Sequence, residues 1–280
     1  MSRRFPVLRR SLYDLRWLII WFGFGLALYG ASMIWLFPQF EAYLTDVAAN
    51  YPREILDFFG GGELTDPAGF MTLEYQSFAV LILIIYAVVA STGQLAGEEG
   101  RGSLESLLAQ PISRTRLIFE KVAAFVEGAL LIDAIVSVGW LVSVPFVDLH
   151  GKLTLVDLAG ATVGTLPVVA LFGALGFWLG AVAPTRGAAA GILTAVAVAS
   201  YLIASIAQAI EPVEGLQYVS PYYYADAARW LIDGPVWWHQ LALLLVAAVV
   251  FALAVRAFAG REIGIGVWQP RALVRRRGVT

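Results

Sequence analysis

The chain has 280 residues, of which 59% are hydrophobic and 14% are charged, and its mean hydropathy is +0.75. Soluble domains are only about half apolar, so this excess excludes an ordinary soluble fold. The formal net charge of -2 is close to neutral, so the positions of the charges are more informative than their sum. The chain has no cysteine, which excludes disulfides, thiolate metal sites and cysteine nucleophiles.

Six windows of the sequence are long and apolar enough to cross a membrane, since a helix needs about 20 mainly apolar residues to do so. They cover residues 17–37, 76–97, 122–147, 158–183, 187–210 and 236–255. Only the third window contains Asp or Glu, and no window contains Lys or Arg. The sequence therefore predicts one all-α transmembrane domain over residues 1–280, with six transmembrane helices.

The basic residues are distributed unevenly between the two sides that six crossings would create. The outer segments, 38–75, 148–157 and 211–235, hold only Arg53, Lys152 and Arg229, and the first of them also carries seven acids. The other 16 of the 19 basic residues are Arg3, Arg4, Arg9, Arg10, Arg16, Arg101, Arg114, Arg116, Lys121, Arg186, Arg256, Arg261, Arg271, Arg275, Arg276 and Arg277. Short cytoplasmic loops are rich in Lys and Arg, so both termini are predicted to be cytoplasmic.

The loop between the second and third windows, residues 98–121, has a pattern of its own. Leu104, Leu107 and Leu108 recur at i, i+3 and i+4, which predicts a short amphipathic helix. Pro111 would end that helix, and Ser113 can cap the next one. Periodicity alone allows a helix that lies on lipid headgroups or a helix that docks to a partner.

The order of residues in this loop resembles the first cytoplasmic loop of ABC type-2 exporter permeases. Residues 57–70 and 220–224 resemble, more loosely, the first outer segment of that family and the stretch before its last span. The resemblance implies that the loop contacts an ATPase. The residues that match the family motif are Glu99, Gly102, Ser103, Leu104, Glu105, Leu107, Leu108, Pro111, Ser113 and Arg114, with Lys121 downstream.

The resemblance also implies partners and a cellular setting. The chain would be the permease subunit of an exporter in the cytoplasmic membrane of a prokaryote. Two separate ABC ATPase subunits would bind ATP and Mg²⁺, since this chain has no G-x-x-x-x-G-K-[ST] motif. We therefore expect no cofactor on this chain, no enzymatic activity of its own and no nucleic-acid partner. A second permease copy or a homologue would complete the pathway among membrane lipids. The Gly176–Gly180 pair and the alanine-rich fifth window are typical of close helix approach.

In the resembled family the first, second and fifth spans line the path of the cargo. Each polar residue there could instead form a hydrogen bond between helices. A largely uncharged path favours an amphipathic or lipophilic cargo, such as a drug, an antibiotic or a lipid. The candidate path residues are Tyr86, Thr92, Gln94, Ser200, Tyr201, Ser205 and Gln208.

Two acids in the third window, Glu127 and Asp133, need an explanation because an ionised carboxylate is costly there. They are either part of a proton or cation relay, or they form structural hydrogen bonds to a neighbouring helix or are hydrated near the cytoplasmic end. At about 100° per residue they point roughly 120° apart, so they need different partners. The alternative function is a secondary transporter that uses these acids, and Pro167 could then mark a broken helix. A metal site is not expected, because the chain has two histidines and no H-E-x-x-H motif.

Overall fold

The computed structural model describes residues 5–48, 52, 66–100, 112–149, 152–225 and 230–261. Every regular element within these ranges is helical. A π-helical turn occupies Thr72–Gln76, and 3₁₀ turns occupy Val144–Phe146 and Glu211–Val219. The α-helices are α1 (Pro6–Ala48), α2 (Pro67–Met71), α3 (Ser77–Gln94), α4 (Ala96–Gly100), α5 (Arg114–Ser143), α6 (Leu155–Gly164), α7 (Leu166–Val182), α8 (Arg186–Ala209), α9 (Pro221–Ala225), α10 (Trp230–Asp233) and α11 (Trp237–Gly260).

Six helices are long and apolar enough to cross a membrane, and each overlaps one of the six windows. This confirms the predicted all-α architecture with six membrane-spanning helices. We number them the first to the sixth span: α1, α2 to α3, α5, α6 to α7, α8 and α11. The even number of crossings puts Pro6 and Arg261 at one end of the bundle, which we call the termini face. The other end is the opposite face, and the assignment of the termini face to the cytoplasm stays a prediction.

The outer surface of the bundle is apolar, as contact with lipid requires. Trp21, Leu28 and Val249, for example, are each at least 60% exposed. The helix α1 has 43 residues and is about 65 Å long at 1.5 Å per residue. It therefore extends beyond a hydrocarbon core of about 30 Å.

The fourth span lies at the centre of the bundle. Its most apolar window is 78% buried, against 22–56% for the windows of the other spans. The second and sixth spans pack on it, while the first span packs along the third. The fourth span is broken at Thr165, and Pro167 lies in the first turn of α7, where its missing amide hydrogen is tolerated. The expectation that Pro167 marks a break is confirmed.

Side-chain caps define where several helices begin. Ser113 Oγ accepts a hydrogen bond of 3.2 Å from the amide of Arg116, so this serine caps α5 as predicted. Thr154 forms a capping box with Asp157 at the start of α6. Thr185 caps α8 through the amide of Ala188. These caps satisfy amides that have no partner within their own helices.

An ion pair joins two segments at the opposite face. Lys152 Nζ lies 2.8 Å from Asp66 Oδ1, and the other carboxylate oxygen of Asp66 accepts from the amide of Ala68, which caps α2. Partial burial raises the pKa of Asp66. The hydrogen bond and charge of Lys152, together with the amides of α2, lower the pKa by more than burial raises it. The pKa therefore lies below its ordinary value. The stabilisation from this pair is present above the unfolded-state pKa and is lost as the pH falls through the folded-state pKa.

The second and fourth spans approach closely at Gly176. A Cβ atom on Gly176 would overlap Ser91 Oγ, and it would lie 2.8 Å from Ser91 Cβ and 3.1 Å from a methyl group of Leu193. Gly180 faces Leu95 in the same interface. The predicted close approach of small residues therefore occurs inside the chain, where this pair is not available to a second copy.

Replacing Gly176 with alanine should destabilise the protein by about 1–3 kcal/mol, because overpacking forces the two spans apart. Gly25→Ala is the matched control, since a Cβ atom at this glycine of α1 has nothing within 4 Å. We expect the control to change stability little, or to raise it through better helix propensity. Unfolding of both variants in detergent micelles measures the difference. Equal stability of the two variants would contradict the packing described for Gly176.

Candidate functional site

The two ends of the loop predicted to contact an ATPase belong to the described residues, whereas its middle does not. Glu99, Ser113 and Arg114 are described. The structure does not describe residues 101–111, so the predicted amphipathic helix lies outside the described residues. The motif residues in that segment are Gly102, Ser103, Leu104, Glu105, Leu107, Leu108 and Pro111.

The helix α4 carries two neighbouring acids at the start of this loop. The helical run of the second span pauses at Leu95 and resumes as α4. Glu98 lies on α4 with its side chain buried, and Glu98 Oε1 is 2.6 Å from Lys121 Nζ of the third span. Lys121 itself has no exposed surface. Breaking such a buried pair leaves an uncompensated charge, which costs about 3–5 kcal/mol.

The second acid, Glu99, pairs with the last described residue of the chain. Arg261 Nη2 lies 2.6 Å from Glu99 Oε2, and the arginine is only 3% exposed. The guanidinium also donates to the carbonyl oxygens of Gly180 at 3.2 Å and Ala183 at 3.0 Å. The first of these lies in the last turn of α7 and the second follows it, where helical carbonyls lack partners within the helix. Arg261 thus connects the second, fourth and sixth spans.

Two further residues at the end of the loop extend these contacts. Arg114 Nη1 donates to the carbonyl oxygen of Arg261 at 2.5 Å. Glu120 Oε2 accepts from the amides of Val7 at 2.9 Å and Leu8 at 3.1 Å, so the third span caps the first helix. Arg116 donates to the other oxygen of Glu120 at 2.8 Å.

We call these charged groups the termini-face cluster: Glu98, Glu99, Arg114, Glu120, Lys121 and Arg261. They hold both ends of the loop 101–111 against five of the six spans. A displacement of the loop would therefore be passed directly to most of the bundle, which is a mechanical rather than a chemical capability. In the described ranges, no group of three or more His, Cys, Asp and Glu residues could hold a metal ion.

Sequence reasoning missed the roles of Arg261 and Glu120. Arg261 follows an apolar window and reads as one more positive charge of the cytoplasmic side. Glu120 precedes the third window and forms no motif with the first helix. Only the neighbouring acids Glu98 and Glu99, directly after an apolar window, were a signal of buried partners.

The second-span residues predicted to line a cargo path are all buried. Tyr86 donates its hydroxyl to the carbonyl oxygen of Phe125 at 2.9 Å, and Thr92 donates to that of Val88 at 2.7 Å. Both polar side-chain atoms of Gln94 are buried without a partner among the described residues. Gln94 is therefore the one of the three whose polar atoms remain available.

The fifth-span candidates differ in exposure. Ser205 is buried, Ser200 and Tyr201 are half-buried, and Gln208 is exposed. Tyr201 packs edge to face on Tyr222 with 5.5 Å between ring centroids. The assignment of all seven residues to a cargo path stays a prediction.

The two acids of the third span lie in different surroundings. Glu127 is exposed on the outside of the bundle, whereas Asp133 is half-buried and lines a small cavity between the spans. The two acids therefore lie on different sides of the third span, as their spacing in the sequence requires.

A protein-family model described as the C-terminal domain of the multidrug efflux system permease Rv1217c matches residues 13–259. The match includes all six apolar windows of the sequence. No curated protein matches the chain.

Replacing Arg261 with glutamine should destabilise the protein by about 3 kcal/mol, because Glu99 loses its guanidinium partner inside the bundle. Arg256→Gln is the matched control, since Arg256 lies in the last two turns of α11, just before Arg261, with an exposed side chain. Adding Glu99→Gln to the Arg261 variant should cost less than Glu99→Gln alone, because the pair is already broken. Unfolding of the four variants in micelles measures these energies, and strictly additive effects would contradict a direct pair.

Proposed function

The chain belongs to the family of the C-terminal domain of the multidrug efflux system permease Rv1217c, and we propose that it is the membrane-spanning permease subunit of an ATP-driven exporter. The family makes it a multi-pass transport permease rather than an enzyme. The ATP-driven part of the proposal rests on the loop 98–121 and on the way its ends are held.

The single observation that carries this proposal is the termini-face cluster. A loop that only connects two spans has no need of buried ion pairs at both of its ends. In an exporter with a separate ATPase, the loop receives a force and has to pass it to the helices. Glu98 and Glu99 on one side, and Arg114, Glu120 and Lys121 on the other, provide that connection.

In this proposal the energy for transport comes from a pair of ABC ATPase subunits that bind ATP and Mg²⁺ on the cytoplasmic side. Leu104, Leu107 and Leu108 would form the apolar contact with the ATPase, surrounded by charged groups. A small contact of this kind can persist through a cycle in which the subunits open and close. The proposed location is the cytoplasmic membrane of a prokaryote, with both termini in the cytoplasm.

The proposed assembly contains a second permease copy or a homologue, and the fifth span offers a face for it. Gly187, Gly191, Ala195 and Ala199 recur at every fourth position and are exposed in the single chain. Small residues at this spacing allow two helix backbones to approach closely. The largely uncharged interior favours an amphipathic or lipophilic cargo, in keeping with the multidrug efflux named for the family.

Replacing Leu107 or Leu108 with aspartate should remove the ATPase while leaving the chain in the membrane, because a charge would enter the apolar contact. The measurement is affinity purification of the tagged chain from native membranes, followed by identification of bound ATPases by mass spectrometry. Gln110→Asp is the matched control, because this position lies off the leucine stripe. An ATPase that remains bound to either leucine variant would contradict the proposed contact. If the unmodified chain binds no ATPase, the secondary transporter becomes the better interpretation.

The dimer can be tested with single cysteines, because the chain has none of its own. Ala195→Cys should form a disulfide between two copies in native membranes, since facing fifth spans would bring the two cysteines into bonding range. Ala197→Cys is the control, because this residue faces the interior and is 6% exposed. Electrophoresis without reductant measures the dimer band. Equal bands for the two variants, or none for Ala195→Cys, would contradict a symmetric contact through this face.

A further inference from the structure

A small cavity lies inside the bundle, between the first four spans. Its volume is about 10 Å³, which is close to the space that one water molecule requires. The π-helical turn of the second span and the break of the fourth span both border it. The lining is mainly aliphatic, and its polar members are Tyr75, Gln76, Asp133, Thr162 and Thr165.

The carboxyl group of Asp133 is the chemically distinctive feature of this cavity. Its Oδ1 atom is buried and has no hydrogen-bond partner among the described residues, while the residue as a whole is half-buried. No Lys, Arg or His occurs among the described residues that line the cavity. An ionised carboxylate here would have no cation within the lining to compensate its charge.

Three side chains of the lining donate hydrogen bonds to backbone carbonyl oxygens. Gln76 donates to the carbonyl oxygen of Ala161 at 3.0 Å. Thr162 donates to the carbonyl oxygen of Leu158 at 2.8 Å, and Thr165 donates to that of Thr162 at 2.7 Å. Both threonine oxygens therefore present lone pairs, one of which on Thr162 accepts from the indole N–H of Trp140 at 3.1 Å. The remaining lone pairs accept hydrogen bonds and do not stabilise an anion.

The other titratable groups nearby carry no positive charge. Tyr75 lies close enough to interact electrostatically with Asp133, and its ring packs 5.5 Å from the ring of Tyr29 on the first span. Glu74, beside Tyr75, is half-buried, and Glu127 on the same helix is exposed. The cavity lining from the first span, Leu26, and from the fourth span contributes no titratable side chain.

We propose that Asp133 is a proton-binding site, in which the carboxyl group takes up a proton within the cavity and donates it in a hydrogen bond to one enclosed water molecule. The water has lone pairs of Thr162 and Thr165 as further partners, so it reaches the two to four contacts that buried waters make. The neutral acid removes the uncompensated charge and uses the space that the side chains leave. This site goes beyond the transport of cargo, and it does not depend on an ATPase.

The position of the site gives the proton a structural consequence. Asp133 lies 11 residues into the window 122–147, about 17 Å along the helix, which is near the middle of the hydrocarbon core. At this level the second and fourth spans depart from α-helical geometry at Gln76 and Thr165. Gain or loss of the proton therefore changes the charge at the point where the α-helical geometry of these two spans is interrupted.

Infrared difference spectroscopy on the purified full chain in lipid nanodiscs tests the proposal without any ATPase. We expect a protonated-carboxyl band at neutral pH that weakens in alkaline buffer. The band should disappear in Asp133→Asn, which keeps the shape of the neutral acid, and should persist in Glu127→Gln, the matched control on the same helix. Asp133→Glu keeps a protonatable group, so this variant should retain the band at a shifted position if Asp133→Asn does not fold.

Three results would overturn the proposal. One is a band that remains in folded Asp133→Asn, and another is the absence of any such band in the unmodified chain. The third is a band that appears only when sodium is replaced by potassium, because the cavity would then hold a sodium ion rather than a proton. Loss of ATPase binding in the leucine variants has no effect on these spectra, so failure of the proton site and failure of the exporter assignment are distinguishable.

Discussion

Two buried ion pairs, Glu98 with Lys121 and Glu99 with Arg261, determine how the helices meet at the termini face. Apolar side chains alone define a lipid-embedded bundle weakly, because lipid tails are as apolar as leucine and exert no hydrophobic force between helices. A buried charge is different, since it has only one acceptable set of neighbours. The guanidinium of Arg261, which pairs with Glu99, also donates to the carbonyl oxygens at the end of α7. One side chain therefore fixes the positions of three spans relative to one another along the bundle axis.

The rest of the bundle is less regular than its termini face. The second span contains a π-helical turn and the fourth span is interrupted at Thr165, although the fourth span is the most buried of the six. Such interruptions free backbone groups from their helical partners, and they are tolerated only where neighbouring protein satisfies those groups. Gln76 does so for the carbonyl oxygen of Ala161. The molecule thus combines an end held by ion pairs with a middle in which the α-helical geometry of two spans is interrupted.

The sequence allowed the six spans, the cap at Ser113 and the break near Pro167 to be predicted, because each depends on composition or on a few adjacent residues. The partners of Arg261 could not be predicted, since they come from three helices that are distant in the chain. The Gly176–Gly180 pair shows another limit: the same small residues serve a contact within one chain or between two chains. The π-helical turn also has no local signal, because a shifted hydrogen-bond register needs no particular residue. The sequence therefore indicated which loop to look at, but not which distant residues its ends would contact.

The consecutive placement of Glu98 and Glu99 has a mechanical meaning. Neighbouring residues on a helix point about 100° apart, so two adjacent residues of α4 can form ion pairs with two different spans. Lys121 anchors it to the third span and Arg261 to the sixth and fourth. With a single pair, α4 could rotate about that contact when the loop moves, and the motion would be lost as a local twist. With two pairs in different directions, rotation about either one strains the other, so α4 can only move together with the helices that it contacts.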